Sequence, residues 1–424
     1  MSQVPRLKIA VVGSGVSGLV AAYVLGDHHD VELFESDDRP GGHTNTVQVL
    51  VGGVTHSVDT GFIVYNDRTY PGLIRLFGRL GVETSTSSMS FSVTDAASGI
   101  EWRGSSISTL FAQRSNVVNR AFLRMVVDIA RFNRAARALA KSAEMSDDRS
   151  IEQFLRDGKW SSQFLDWYLV PIGSAIWSAD PRTFASMPMR TFAKFFDNHG
   201  LLRTTDRVQW RTVANGAVHY VDAILRHLGP RAHIGLGVTA VARNVDGVRL
   251  EVSDGSARQF DHVVIATHSD QALQLLSDAT ATEVEILGAI RYQRNVATLH
   301  TDARVMPSNR RAWASWNFHR PADPTGFATV TYDMNRLQGI VSVEPIFVTL
   351  NREGDIDPER VLATFNYEHP VFDGAAIKAQ RRRREISGHH STSYAGAYWG
   401  NGFHEDGVQS ALNICRELGV EAPW

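Results

Sequence analysis

The first regular pattern in the chain is an unbroken apolar run, KIAVV (Lys8–Val12), with no alternation to polar positions. That is how a strand covered on both faces of a parallel sheet reads. Three glycines and an alanine-rich stretch ending at Gly26 predict a tight turn and a helix, and DVELFES (Asp30–Ser36) predicts a second buried strand. Val47, Val49 and Val51 then alternate with polar residues up to Gly52-Gly53, which predicts a hairpin. From about Tyr70 to Phe196 the period changes to that of helices. In VVNRAFLRMVVDIARFNRAARALAKSA (residues 117–143) apolar residues recur at helical spacing, with Arg120, Arg124, Arg131, Arg134 and Lys141 on the remaining surface. Sheet-like sequence returns at AHIGLGVTAVARNVDGVRLEVSDGSARQF, a meander with turns at Asp246-Gly247 and Asp254-Gly255, and HVVIAT is a further buried parallel strand. Leu273 to Ile386 mixes helix with strands such as FATVTYDMN and PIFVTLN, and ends in Arg381 to Arg384, read as a solvated helix face. The C-terminal stretch is a short strand, a glycine-rich turn and a helix expected to begin near Asp406-Gly407.

These elements predict an α/β fold, α+β overall. A Rossmann-like domain is assembled from residues 1–75, 208–272 and 390–424, and a discontinuous, mixed α+β second domain from residues 76–207 and 273–389. Two to three domains suit 424 residues, and 43% hydrophobic with 21% charged content is ordinary for a globular protein. A net charge of -2 gives no reason to expect nucleic acid as a partner. The single cysteine, Cys415, excludes an internal disulfide framework and fits a reducing compartment. With no apolar stretch of membrane-spanning length, the expected location is the cytoplasm. The basic helix reads as a solvated face, with peripheral contact at the inner membrane face as the alternative.

Gly13, Gly15 and Gly18 stand at GxGxxG spacing between the first strand and helix. The first permits the turn, the second lets a pyrophosphate approach the backbone, and the third lets helix pack on strand. Glu35, 22 residues after Gly13 at the end of the second strand, is placed to meet a ribose hydroxyl. Gly235, Gly237 and Ala240 imitate a second fingerprint, but a meander follows where a phosphate site needs a helix. The last helix presents free amides near Asp406, which suits the pyrimidine edge of a flavin; a helix merely capped by Asp406 is the alternative. His389-His390 lacks the support of a zinc site, and no Ser-His-Asp spacing is present.

VVGSGVSGL, FES, RPGGHTNT and HVVIAT follow the order found in the FAD-binding superfamily of monoamine oxidases, protoporphyrinogen oxidase and phytoene desaturases. VDTGFIVYN, PIGSAIWS, WRTVANGAVHYV, ASWNFH, TYDMNRLQ and GAYWGNGFHEDG resemble, more narrowly, the FAD-dependent oxidoreductases associated with cyclopropane fatty acid synthases, which are similar to the N-terminal half of plant cyclopropane synthases. The resemblance spans nearly the whole chain. It implies that Gly13, Ser14, Gly15, Val16, Ser17 and Gly18 hold the pyrophosphate, Glu35 and Ser36 the adenosine ribose, and Val238 and Ala266 the adenine region. It further implies that Gly42, His43, Thr44, Gly61 and Phe62 line the flavin while Asp406, Gly407 and Val408 meet its pyrimidine edge. His43 replaces the basic residue usual in the monoamine oxidases, and no cysteine stands in the C-terminal turn, so non-covalent FAD is expected.

The motif residues supply the pocket candidates Tyr65, Asn66, Trp177, Trp210, Trp316, Asn317 and Trp399, each of which is otherwise an ordinary core residue. His404 and Glu405 are catalytic candidates beside the helix start, as proton donor or general acid/base, or else braces of the turn. Tyr332 and Asn335 complete the catalytic set. The leading expectation is hydride transfer from an apolar substrate, a lipid or fatty-acyl chain, to the flavin. The alternatives are an amine oxidase, a polyene or porphyrin desaturase, and a non-catalytic FAD-dependent partner of a fatty-acyl methyltransferase.

Overall fold

The computed structural model describes residues 5–142, 149–203, 208–322 and 326–424. Its nucleotide-binding half is a parallel sheet of β1 (Lys8–Val12), β2 (Asp30–Glu35), β3 (Ala232–Ile234), β4 (His262–Ile265) and β5 (Thr392–Tyr394), in the order β3-β2-β1-β4-β5. β1 is central and parallel to both neighbours, which is why its run never alternates. All ten residues of α1 (Val16–Leu25) are buried, between the sheet and the last helix. The predicted hairpin pairs Thr46–Val51 with Val54–Asp59. Gly52 and Gly53 take φ of 60° and 80°, the turn that residues with a Cβ disfavour. The predicted meander is a three-stranded antiparallel sheet over Val238–Phe260.

The second half is built on a seven-stranded mixed sheet. Its order is Val361–Pro370, Tyr292–His300, Phe347–Leu350, Val330–Asp333, Trp316–Arg320, Phe91–Asp95 and Ile100–Arg103. Helices cover it, with α2 (Pro71–Leu80) leading in from the nucleotide core and α3 (Arg120–Lys141) packed on Met189–Asn198. The nucleotide half is completed by α4 (Val218–Leu228) and α5 (His404–Glu417).

Three expectations are corrected. The stretch from Tyr70 to Phe196 is not all helical: Thr84–Ser87, Phe91–Asp95 and Ile100–Arg103 are strands. Thr84–Ser87 and Phe91–Asp95 are rich in serine and threonine, Ile100–Arg103 is only four residues long, and neighbouring strands complete their hydrogen bonding. The domain boundary is also displaced from residue 273. Ala272, Ile286, Leu287 and Ile290, and later Ala376, Ala379 and Ile386, share one core with β1 and β4, so residues 273–290 and 374–389 pack with the nucleotide half. Arg381 to Arg384 are not a plain solvated face: Arg382 pairs with Glu285 and Glu385, and the largely buried Arg383 lies 3.5 Å from Glu417.

Candidate active site

The β1–α1 turn and the Gly41-Gly42 turn are tied together by one serine. Ser14 donates from its amide and its hydroxyl to Glu35 Oε2 (2.8 and 2.5 Å), and its Oγ accepts from the Gly41 amide (3.0 Å). Gly13 donates to the Phe34 carbonyl at φ of 100°. Gly18 lies so close to the Gly13 carbonyl that no side chain fits between them. Gly15 is the opposite case: a Cβ built there meets nothing within 4 Å, so the backbone faces open space at the end of a helix whose first amides have no side-chain cap. This is a cradle for an anion. Gly61 packs against the His43 carbonyl, which accepts from the Phe62 amide (2.8 Å), so residues 41–45 and 60–62 run side by side.

The cradle opens into a cavity of about 1180 Å³, larger than a drug-sized ligand requires. Gly13, Ser14, Gly15, Val16, Ser17, Glu35, Ser36, Val238 and Ala266 line one part of it, and Gly42, His43, Gly61 and Phe62 another. Aromatic and aliphatic side chains form a further chamber: Phe91, Trp102, Tyr168, Ile172, Ile176, Trp177, Phe195, Trp210, Trp316 and Tyr332. Tyr168 lies in a π-helical turn, Leu165–Leu169, an irregularity that interrupts the run of helix into Val170–Trp177. Trp177 is fixed by its indole donating to the Asn401 carbonyl (3.1 Å). Trp316 stands edge-on to Tyr332 (5.1 Å), and its Nε1 is buried with no hydrogen-bond partner among the described residues.

Several expected residues do not line this cavity. Gly18 and Gly407 are packing glycines, Gly407 letting α5 approach Val16 and Ser17 of α1, and Val408 is buried in the core. α5 begins at His404, not at Asp406, because the Asp406 carboxylate turns back to accept from the Phe403 amide (3.0 Å). From the first turn of α5, only His404 borders the cavity, beside its N-cap Phe403. Tyr65 packs on Tyr70 and Phe77 in the nucleotide core, and Trp399 borders a separate small pocket with Arg383. Asn66 holds the loop to Thr69, and Asn317 bridges Ser92, Ala314 and Thr331.

Among the catalytic candidates, Asn335 is spent on the 340–346 loop, donating to the Ile340 carbonyl and Ser342 Oγ and accepting from the Ile346 amide. Both Glu405 oxygens accept amides at the start of α2, Gly72 and Leu73, each at 2.9 Å. Glu405 is therefore a helix cap. Glu405→Ala is expected to lower stability by about 1–2 kcal/mol through the lost cap while leaving flavin content and its rate of reduction unchanged, as thermal unfolding and stopped-flow reduction will show. His404 stacks on Phe62 (3.6 Å between centroids), and its Nε2 is within hydrogen-bonding distance of Thr44 Oγ1 (3.0 Å) and Tyr220 OH (3.3 Å). Burial pushes its pKa down to about 3, so the ring is neutral and held in place. Thr44 thus stands behind the wall as its support. Tyr332 does face the cavity, and burial raises its phenol well above the ordinary range.

The cavity also contains a group that sequence reasoning missed. His43 lies 5.2 Å from His369, 5.2 Å from Tyr367 and 6.2 Å from His268, ring to ring. Tyr367 OH bonds Thr60 and Asn45, and Asn295 Nδ2 lies 2.9 Å from His369 Nδ1. Burial, reinforced by the neighbouring imidazoles, lowers the pKa of His43 well below its usual value and that of His369 to about 4. The signal was present in NYEHP, where Tyr367 and His369 share one face of a strand by their spacing of two.

A glycine cradle for a dinucleotide, continuous with an aromatic chamber through a middle section walled by backbone and neutral rings, defines a flavoprotein oxidoreductase. The family model for flavin containing amine oxidoreductases matches residues 16–316. Cyclohexylamine oxidase from Brevibacterium oxydans superposes with a TM-score of 0.72 at 18% identity, over 98% of this chain and 100% of that one. A CLA-producing fatty acid isomerase from P. acnes superposes with a TM-score of 0.70 at 15% identity, over 98% and 99%. A putative protoporphyrinogen oxidase from Exiguobacterium sp. gives 0.69 at 16% identity, over 97% and 98%. No curated protein matches the sequence. The chain belongs to the flavin-containing amine oxidoreductase family and is an FAD-dependent oxidoreductase. The cradle fits that cofactor: Gly15 leaves room for a pyrophosphate, Glu35 stands at the end of β2, and Cys415 is buried in α5, away from the cavity.

Proposed function

We propose that the protein oxidises an apolar substrate with a lipid or fatty-acyl chain. The observation that carries this is the aromatic and aliphatic part of the cavity, whose ten residues named above offer an apolar chain a matching wall. Three carboxylates, Glu35, Asp37 and Glu368, border other parts of the cavity; Glu35 is engaged by the Ser14 turn and Glu368 lies 3.5 Å from His268.

FAD supplies the acceptor for a hydride from the substrate. The chain supplies the orientation: apolar walls that include Trp316 and Tyr332 exclude water, and His404 holds Phe62 in place through its stack. An amine oxidase is the second reading, supported by the likeness to cyclohexylamine oxidase, and a desaturase acting on a polyene or porphyrin is supported by the likeness to the protoporphyrinogen oxidase. Anaerobic titration of the FAD-loaded protein separates them. Bleaching of the flavin by unsaturated, cyclopropane or methyl-branched fatty acids or phospholipids, and not by cyclohexylamine, is the expected result. Bleaching by the amine alone overturns it. Full product formation by a fatty-acyl methyltransferase together with a variant that binds FAD without reducing it would instead assign the non-catalytic partner role.

A further inference from the structure

We infer that the face formed by residues 107–118 and the outward side of α3 docks on an anionic lipid bilayer. Ile107 (79% exposed), Val118 (82%), Val117 and Val127 (54% each) and Leu123 put apolar side chains into solvent within 21 residues of chain. Arginines are interleaved with them. Between Ile107 and Lys141, the end residues included, there are seven basic residues and one acidic residue, a local balance of +6 in a chain whose net charge is -2, which leaves -8 for everything else.

The pattern on α3 is geometrical. Arg120, Arg124, Val127, Arg131, Arg134, Ala138 and Lys141 follow at steps of four and three, so they form one stripe, and every one is exposed. The opposite stripe, Phe122, Met125, Phe132 and Ala136, is buried against the helix Met189–Asn198 and its neighbours. The one acid, Asp128, is on the buried side and takes Arg124 and Arg131 as partners. Arg114, Arg120 and Arg134 have no ion pair among the described residues, although a solvated helix would gain little from leaving them so. Cations with no partner around exposed valines and an isoleucine suit a surface that is anionic outside and apolar just beneath. A polyanion such as RNA would engage the arginines and leave the apolar residues in water.

The position of this face supports the same occupant. Gly104, three residues before Ile107, is exposed and also lines the cavity, as does the buried Trp102 before it. The cavity thus reaches the surface beside the apolar residues, where a lipid chain leaving a bilayer would enter. The docking itself does not depend on which substrate is oxidised.

Flotation of the FAD-loaded protein with vesicles tests this. Binding to equimolar phosphatidylglycerol and phosphatidylcholine, absent with phosphatidylcholine alone and weakened by salt, is expected. Arg120→Glu with Arg134→Glu should weaken partitioning by about 25-fold or more, at about fivefold for each charge lost near the surface. Val118→Asp with Val127→Asp should weaken it by about tenfold or more through the lost apolar burial. All four positions are exposed, so both variants should keep the flavin spectrum of the parent, which separates loss of docking from loss of the active site. Failure of the parent to float, variants that float like the parent, or capture by RNA or polyglutamate with the vesicles ignored would each overturn the assignment.

Discussion

Gly18→Val is expected to yield a chain without bound flavin and with markedly lower stability, whereas Gly15→Ala should fold normally and lose only cofactor affinity. Only two residues separate these glycines, and they serve different physical needs. At Gly18 a side chain would occupy the place of the Gly13 carbonyl oxygen, with the Ala266 Cβ 3.2 Å away on the other flank. Neither is the end of a flexible side chain, so α1 would have to move off β1. Because all ten residues of α1 are buried, that movement disturbs a core as well as a turn. Overpacking of this kind costs about 1–3 kcal/mol or more, and the shift carries the cradle with it. At Gly15 φ is -61°, which any residue adopts, and there is free space around the added methyl group. The protein alone should therefore melt as the parent does. The methyl group would stand where a pyrophosphate approaches, so FAD should dissociate at lower concentrations of competing buffer phosphate and leave a weaker visible flavin spectrum. Unchanged FAD affinity in Gly15→Ala would remove the pyrophosphate from this turn.

The contrast also marks what could be read from the sequence. The cradle was legible because a strand, a turn and a helix adjacent in the chain make it, and glycines at fixed spacing record the close contacts directly. Glu35 was legible for the same reason, and the structure adds that Ser14 joins it to the second glycine turn. The aromatic chamber was legible in part. Trp177, Trp210, Trp316 and Tyr332 line it, but Tyr65 and Trp399 come from equally suggestive motifs and point elsewhere. An aromatic residue reports burial, and only packing decides which void it borders. The carboxylates of Glu405 and Asp406 follow the alternative readings, a brace of the turn and a helix cap: the helix starts at His404, and both acids in its first turn accept backbone amides. The His43, His268 and His369 group draws on three distant segments; NYEHP puts Tyr367 and His369 on one face of a strand, but nothing local brings His43 and His268 to it.

Acidification is expected to destabilise the protein from pH 6.5 downward, earlier than loss of carboxylate pairing alone would. Burial lowers the pKa of His262, His300, His319 and His369 to about 4 and that of His404 to about 3, against 6.5 when unfolded. His300 shows the cause in detail: its Nδ1 accepts from the Asp302 amide (3.0 Å) and its Nε2 bonds Thr349 Oγ1 (2.7 Å), so a second ring proton has no acceptor to meet. A base with a depressed folded pKa contributes stability that is complete above the unfolded pKa and is lost as pH falls below it, because the unfolded chain then binds more protons. Five acids act in the opposite sense: burial raises Asp59 to about 7 and Asp406 to about 6, and raises Asp166, Asp333 and Glu405 as well, and each favours the folded state as pH falls toward its unfolded value. At pH 5 each of the five histidines costs about 2 kcal/mol, and with His29, His199 and His268 also lowered the histidines outnumber the opposing acids, so stability falls with pH. His43 adds to the loss in the same direction. The melting temperature of the protein should therefore fall steeply between pH 6.5 and 5, with flavin released in the same transition because His43 and His369 line its cavity and His404 is stacked on Phe62. His300→Gln, which removes one titrating ring, should shift that transition to lower pH even if it melts at a lower temperature at pH 8. A melting temperature flat from pH 8 to 5 would mean that these imidazoles are solvated, and that the walls of the cavity are not as closed as their burial requires.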